Sequence, residues 1–113
     1  MIAVIDYGVG NLFSLAASLR YIGAESEVTS DINRLKSASA IILPGVGAFA
    51  DAYKKLESSG LVPEIEREVQ SGKPVLGICL GMQLLFDRSF EYGEHRGLGF
   101  ICGDVSPIAP DLK

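Results

Sequence analysis

At 113 residues with 48% hydrophobic side chains, the chain has the length of one small domain and enough apolar surface to close a core. Its net charge of -4 and its ten scattered basic residues leave no positive stripe to neutralise a phosphate backbone, which argues against a nucleic-acid partner. Neither end has a charged segment leading into an apolar stretch, and no apolar run approaches the ~20 residues that span a bilayer, so a soluble, cytoplasmic protein with no membrane partner is expected.

Met1 to Asp6 (MIAVID) is an apolar, β-rich run without alternation, as expected of a strand covered on both faces. Gly8 and Gly10 break it. From Asn11, a reasonable N-cap, the stripe Leu12, Leu15, Ala16, Leu19 and Ile22 predicts a helix ending at Gly23. A short strand follows at 26–29, and Ser30-Asp31 caps a brief helix to Lys36. Ala40-Ile41-Ile42-Leu43 is the next buried strand, stopped by Pro44 and Gly45. Phe49, Tyr53 and Leu56 then repeat at helical spacing until Ser59-Gly60. A further helix starts around Pro63, with Ile65 and Val69 inward and Gly72 beyond its end. Residues 74–78 read as a fourth strand and 80–88 as a fourth main helix. The stretch past Glu91 (YGEHRGLG) is loop-like. Residues 100–108 read as one or two strands with a turn at Gly103-Asp104, and the polar, proline-broken tail from Ser106 closes nothing.

This alternation implies an α/β fold with parallel strands, right-handed crossovers and helices on both faces. Ligands of such sheets bind beyond the carboxyl ends of the strands. Three glycine-rich segments stand there, YGVGN (7–11), PGVGAF (44–49) and GICLG (77–81), and they should meet along one rim.

Cys79 lies between Gly77 and Gly81, where a strand turns directly into a helix. Such a bend places its central residue in strained geometry, and small residues two before and two after let strand and helix pack closely, as in a nucleophile elbow. A helix N-terminus there favours a thiolate. The Leu80 N–H points at the same place and can donate to an oxyanion. The glycines of PGVG allow a second backbone N–H to turn toward the same thiol, which makes an acyl-transfer site. The plainer reading is a structural cysteine among turn glycines. Two cysteines, Cys79 and Cys102, and one histidine, His95, are too few for a disulfide framework or a zinc site, so no metal or cofactor is expected.

The opening DYGVGN, the strand ending in PGVGAF, the run GKPVLGICLGMQLLFDRSFE and the later GLGFICGDV resemble the class I glutamine amidotransferases. Within them they are similar to the amidotransferase subunits of imidazole glycerol phosphate synthase, over nearly the whole chain. The resemblance implies a flavodoxin-like fold in which Cys79 attacks the carboxamide of glutamine and releases ammonia from a glutamyl thioester. It implies an oxyanion hole from the Leu80 N–H and a backbone N–H of PGVG, at Val46 after a peptide rearrangement that Gly45 and Gly47 permit. Gln83 and Glu91 match positions that hold the glutamine amide and ammonium. Their plain readings are a solvated helix residue and an ordinary loop charge. Ammonia would pass to a (β/α)8-barrel synthase (cyclase) partner, faced by Asn11 and its loop, although Asn11 also reads as no more than a helix cap.

Members of this family carry a catalytic histidine and glutamate near their C-terminus that have no match here. His95, sixteen residues past the cysteine, reads as a surface histidine. Residues 1–113 are therefore expected to be the N-terminal part of one amidotransferase domain, inactive alone for want of a base and with uncovered apolar surface that invites self-association. The alternatives are the amidotransferase domain of another biosynthetic enzyme, which the DYGVGN opening disfavours, and a non-catalytic flavodoxin-like binding module with an inert Cys79. Phosphate binding at YGVGN is weaker, since the motif lacks a P-loop's Lys-Ser/Thr pair and a full GxGxxG.

Overall fold

The computed structural model describes residues 1–108. Residues 109–113 of the expected tail lie outside the described residues. Four parallel strands form the main sheet: β1 (Ile2–Ile5), β2 (Ser26–Thr29), β3 (Ala40–Leu43) and β4 (Val75–Gly77), in the order β2-β1-β3-β4. Between them run α1 (Leu12–Tyr21), α2 (Ile32–Ser37), α3 (Phe49–Ser58) and α4 (Val62–Gln70). Residues Ile2, Ala3 and Val4 pair with Ala40, Ile41 and Ile42, and Ile41 to Leu43 pair with Val75 to Gly77.

Side chains alternate across a strand, so each central strand serves two layers. Ala3, Ile5, Ile41 and Leu43 face a large cluster with Phe49, Leu56, Leu61, Ile65, Leu80 and Leu84, whereas Val4 and Ile42 face Leu19 of α1. Helices cover both faces, as the unbroken apolar runs of β1 and β3 predict. Ile22 departs from the predicted stripe: it is the C-cap of α1 and is 73% exposed, because the chain leaves the helical path there. The caps at Asn11 and Asp31 form as expected, each side chain accepting a backbone N–H of the first turn.

The last third of the chain differs from its sequence reading. The helix after Cys79, α5, spans only Leu80–Leu84, and a separate three-stranded sheet follows, built of β5 (Phe86–Ser89), β6 (His95–Arg96) and β7 (Ile101–Val105) in the order β6-β5-β7. The predicted continuation to Arg88 fails because its carbonyls are taken elsewhere. Leu84 O, Leu85 O and Phe86 O accept from the N–H groups of Leu98, Ile101 and Gly99, leaving none for the i+4 amides a longer helix needs. Arg88 reaches Asp104 at 2.7 Å and Glu94 at 3.3 Å, fastening β5 to both neighbours. The predicted turn at Gly103-Asp104 is instead a bulge in one strand: Phe86 pairs with Ile101 but Arg88 with Asp104, so β7 carries the extra residue.

Strand β4 is an edge of the main sheet, and its Leu76 is 57% exposed. No helix among the described residues is long and apolar enough to cross a membrane.

Glu64, 3% exposed at the start of α4, meets Arg67 at 2.7 Å and Lys36 of α2 at 3.8 Å. The hydrogen bond from the Arg67 guanidinium holds its carboxyl below the usual carboxylate range, against a smaller opposing effect of desolvation. A carboxyl depressed by folding stabilises the protein above its unfolded titration range and loses that contribution as pH falls through the folded value. Urea midpoints should therefore drop between neutral pH and about pH 3, and the drop should be smaller in Glu64→Gln.

Candidate active site

The pairing of β3 with β4 continues beyond both strands. Ile78 N–H donates to Leu43 O at 3.0 Å and Leu80 N–H donates to Gly45 O at 3.2 Å. Between these two bonds stands Cys79, with φ 55° and ψ -123° and an exposed side chain. A non-glycine residue held at positive φ costs on the order of 1–3 kcal/mol and persists only where its surroundings impose it.

Those surroundings are close backbone contacts. A Cβ on Gly81 would overlap Leu43 O, and one on Gly77 would stand 2.6 Å from Met82 Cα. The elbow expected from the spacing is thus present, and its glycines are demanded by packing. The helix behind it is shorter than predicted, at five residues, so the dipole at Cys79 is weaker than a nine-residue helix would give.

PGVG lies against the elbow. A Cβ on Gly45 would come within 2.8 Å of Gly81 N and 2.9 Å of Tyr7 Oη. The buried Tyr7 hydroxyl donates to Pro44 O at 2.5 Å, and burial pushes this phenol up to about 12. Gly10 of YGVGN also packs against Pro44, where an added Cβ would stand 3.2 Å from the proline Cβ. The three glycine-rich segments therefore meet along one rim.

One expected donor is engaged. The Leu80 N–H is bonded to the Gly45 carbonyl, and because a trans peptide is planar, the Val46 N–H of that same unit points to the opposite side. Turning the Gly45–Val46 peptide over would free the first donor and present the second. Gly47, at φ 96°, and the 55% exposed Val46 leave the segment little packing to disrupt.

Gln83, one helical turn past Cys79, and Glu91 share a recess of about 400 Å³ with Tyr92, Val105, Ser106 and Pro107. Cys79 is not in its wall. Gln83 Oε1 is buried there without a hydrogen-bond partner among the described residues, which does not fit a solvated helix residue. Glu91 is no free loop charge either: its Oε1 accepts the Phe49 N–H at 3.1 Å, at the start of α3. Sequence reasoning found neither this bond nor Tyr7, since each depends on a partner 42 or 37 residues away. The remaining candidates lie apart. His95 sits in β6 with its Nε2 against Tyr92 O at 3.1 Å, Cys102 is exposed on β7, and Asn11 Oδ1 accepts Ser14 N–H at 3.2 Å as a helix cap. No three His, Cys, Asp or Glu side chains among the described residues gather as a metal would require.

The family model described as Glutamine amidotransferase class-I matches residues 3–95. The chain belongs to this family. Among curated class I amidotransferase relatives it is 54% identical over 111 residues to the imidazole glycerol phosphate synthase subunit HisH of Aquifex aeolicus, covering 97% of this chain and 54% of that protein. It is 51% identical over 105 residues to the subunit of that name from Caldanaerobacter subterraneus subsp. tengcongensis, covering 93% and 52%. With that of Lactiplantibacillus plantarum the identity is 50% over 113 residues, covering 100% and 54%. The chain spans about half the length of the curated relatives it matches. A crystal structure of a glutamine amidotransferase superposes with a TM-score of 0.80 at 22% identity, covering 100% of this chain and 60% of the other. A putative peptidase E protein from Listeria monocytogenes EGD-e gives 0.70 at 15%, covering 88% and 62%. These two likenesses support the amidotransferase fold alone.

The contact of Gly81 with Leu43 O gives a direct test of the elbow. Gly81→Ala must push β3 and α5 apart and should cost about 3 kcal/mol, the upper end of ordinary overpacking, in urea denaturation. An exposed-site substitution such as Lys54→Ala should stay within about 0.5 kcal/mol.

Proposed function

We propose that this chain carries the nucleophile of a glutamine-hydrolysing subunit of imidazole glycerol phosphate synthase. The observation that carries the reading is Cys79 itself, exposed at positive φ between the Leu80 amide and the PGVG peptide. The names borne by relatives at about half sequence identity support the choice of enzyme.

In this reading Cys79 Sγ attacks the side-chain carboxamide carbon of glutamine. The developing oxyanion is held by the Leu80 N–H and, after the Gly45–Val46 peptide turns over, by the Val46 N–H, with Gly45 and Gly47 giving the freedom to turn. The C–N bond then breaks, nitrogen leaves with a proton as ammonia, and a glutamyl thioester remains. Water cleaves the thioester to glutamate and restores the thiol. Gln83 Oε1, buried and without a partner among the described residues, accepts a hydrogen bond from glutamine, and Glu91 holds its α-ammonium. Ammonia passes to a barrel cyclase partner that meets the rim bearing Asn11, beside which Phe13 is 82% exposed. Among the described residues the step lacking a group is proton transfer: the only histidine of the sequence, His95, is turned to the Tyr92 carbonyl.

Two exposed thiols in one chain allow an internally controlled test. A small neutral thiol reagent should modify both Cys79 and Cys102, whereas a chloroketone analogue of glutamine should modify Cys79 alone, with excess glutamine slowing that reaction. Peptide mass analysis reads both sites, and equal labelling of the two, or labelling indifferent to glutamine, overturns the reading. Steady-state glutamine hydrolysis by these 113 residues should sit at least ~100-fold below that of amidotransferases with a positioned base. Turnover matching theirs and abolished by Cys79→Ala would mean that a base has been overlooked.

A further inference from the structure

The segment that must rearrange is held at both ends. Upstream, the Tyr7 hydroxyl binds Pro44 O. Downstream, α3 begins at Phe49 with Ala48 as its N-cap, a residue whose side chain has nothing to offer the first-turn amides. The acceptor comes from far along the chain instead, as Glu91 Oε1 takes the Phe49 N–H. Glu91 is itself firmly placed. Its N–H donates to Ser89 Oγ at 3.1 Å, Ser89 is fully buried, and Tyr92 after it has φ 52°.

The Glu91 carboxylate stands on a border. On one side is the Phe49 amide; on the other is the recess it shares with Gln83 and Tyr92, whose wall includes no residue of α3. Among the described residues its Oε1 takes the Phe49 N–H and its Oε2 takes no hydrogen bond. A cation entering the recess offers the carboxylate a stronger partner than the Phe49 amide, because an ammonium bond to a carboxylate gains both charge and hydrogen bonding. What α3 loses is the side-chain cap at Phe49.

We propose that Glu91 is a substrate-operated tether: the α-ammonium of glutamine draws its carboxylate off the Phe49 amide, and the freed start of α3 lets the Gly45–Val46 peptide turn over beside Cys79. This rests on the reading of the recess as the glutamine site. It adds that one carboxylate both senses the substrate and, as a positioning residue acting through Phe49, readies the oxyanion donors. Arrival of glutamine thereby lowers the resistance to a rearrangement that the hydrogen bond from Leu80 to Gly45 opposes.

Amide hydrogen exchange resolved by NMR on the whole chain tests this. Saturating glutamine should speed exchange at Phe49 roughly five-fold, the effect of losing one helix cap, while the amides of α4 stay unchanged. 4-Carbamoylbutanoate, which keeps the carboxamide and a carboxylate but lacks the ammonium, should leave Phe49 unchanged. Glu91→Ala should speed both Phe49 and Leu80 without ligand, a joint change that a cap confined to α3 would not produce. Glu91→Gln keeps a neutral acceptor for Phe49, so it should exchange like the parent and ignore glutamine. If glutamine shifts the Gln83 side-chain amide but Phe49 exchange is unchanged or slower, the tether is wrong and the glutamine site stands. If neither responds, both are wrong.

Discussion

The hydrogen bonds that run past the ends of β3 and β4 organise this molecule. Each parallel strand would normally stop where its neighbour diverges, yet here Leu43 O and Gly45 O go on accepting from Ile78 and Leu80. The backbone must remain straight on the PGVG side while it bends into α5 on the other. Only a residue at positive φ allows both, and that residue is Cys79. The strain of the elbow and the placement of PGVG are therefore one constraint, imposed by a sheet that refuses to end.

How much of this was legible in the sequence depends on how far apart the interacting parts lie. β1, β3 and their helices were readable because each carries a local signal: an unbroken apolar run, a stripe at helical spacing, a cap at Asn11 or Asp31. The elbow was readable too, since its two glycines flank the cysteine within five residues. Of the second sheet, β7 falls within the strand expected at 100–108, but β5 and β6 were not readable. Residues 85–88 have a helical composition, and what makes them a strand is the later segment that takes their carbonyls. Nothing within a window of that size announces it. The bulge at Gly103 misled for the same reason, because glycine and aspartate mark a turn unless a partner strand dictates otherwise.

The site divides along the same line. Cys79 and the PGVG segment follow from motifs and Val46 from the resemblance, whereas the engagement of the Leu80 amide, the Tyr7 anchor and the cap from Glu91 are tertiary facts. Gln83 and Glu91 were named by resemblance, and the geometry adds something the resemblance lacked. One has a buried oxygen with no partner among the described residues, and the other reaches a helix 42 residues away. The chain thus ties Cys79 and PGVG to distant segments through single hydrogen bonds to backbone atoms.

The strand order β2-β1-β3-β4 also bears on how the chain can assemble as it leaves the ribosome. β2 adds to one side of β1, β3 to the other, and β4 to the free side of β3. No later strand has to wedge between two already paired, so the sheet can grow outward at the pace of synthesis. The cap on α3 is the exception, because its start has to wait for residue 91. Until then PGVG is tied at Pro44 and, through Gly45, to Leu80, and the start of α3 is the last part of the rim to become fixed.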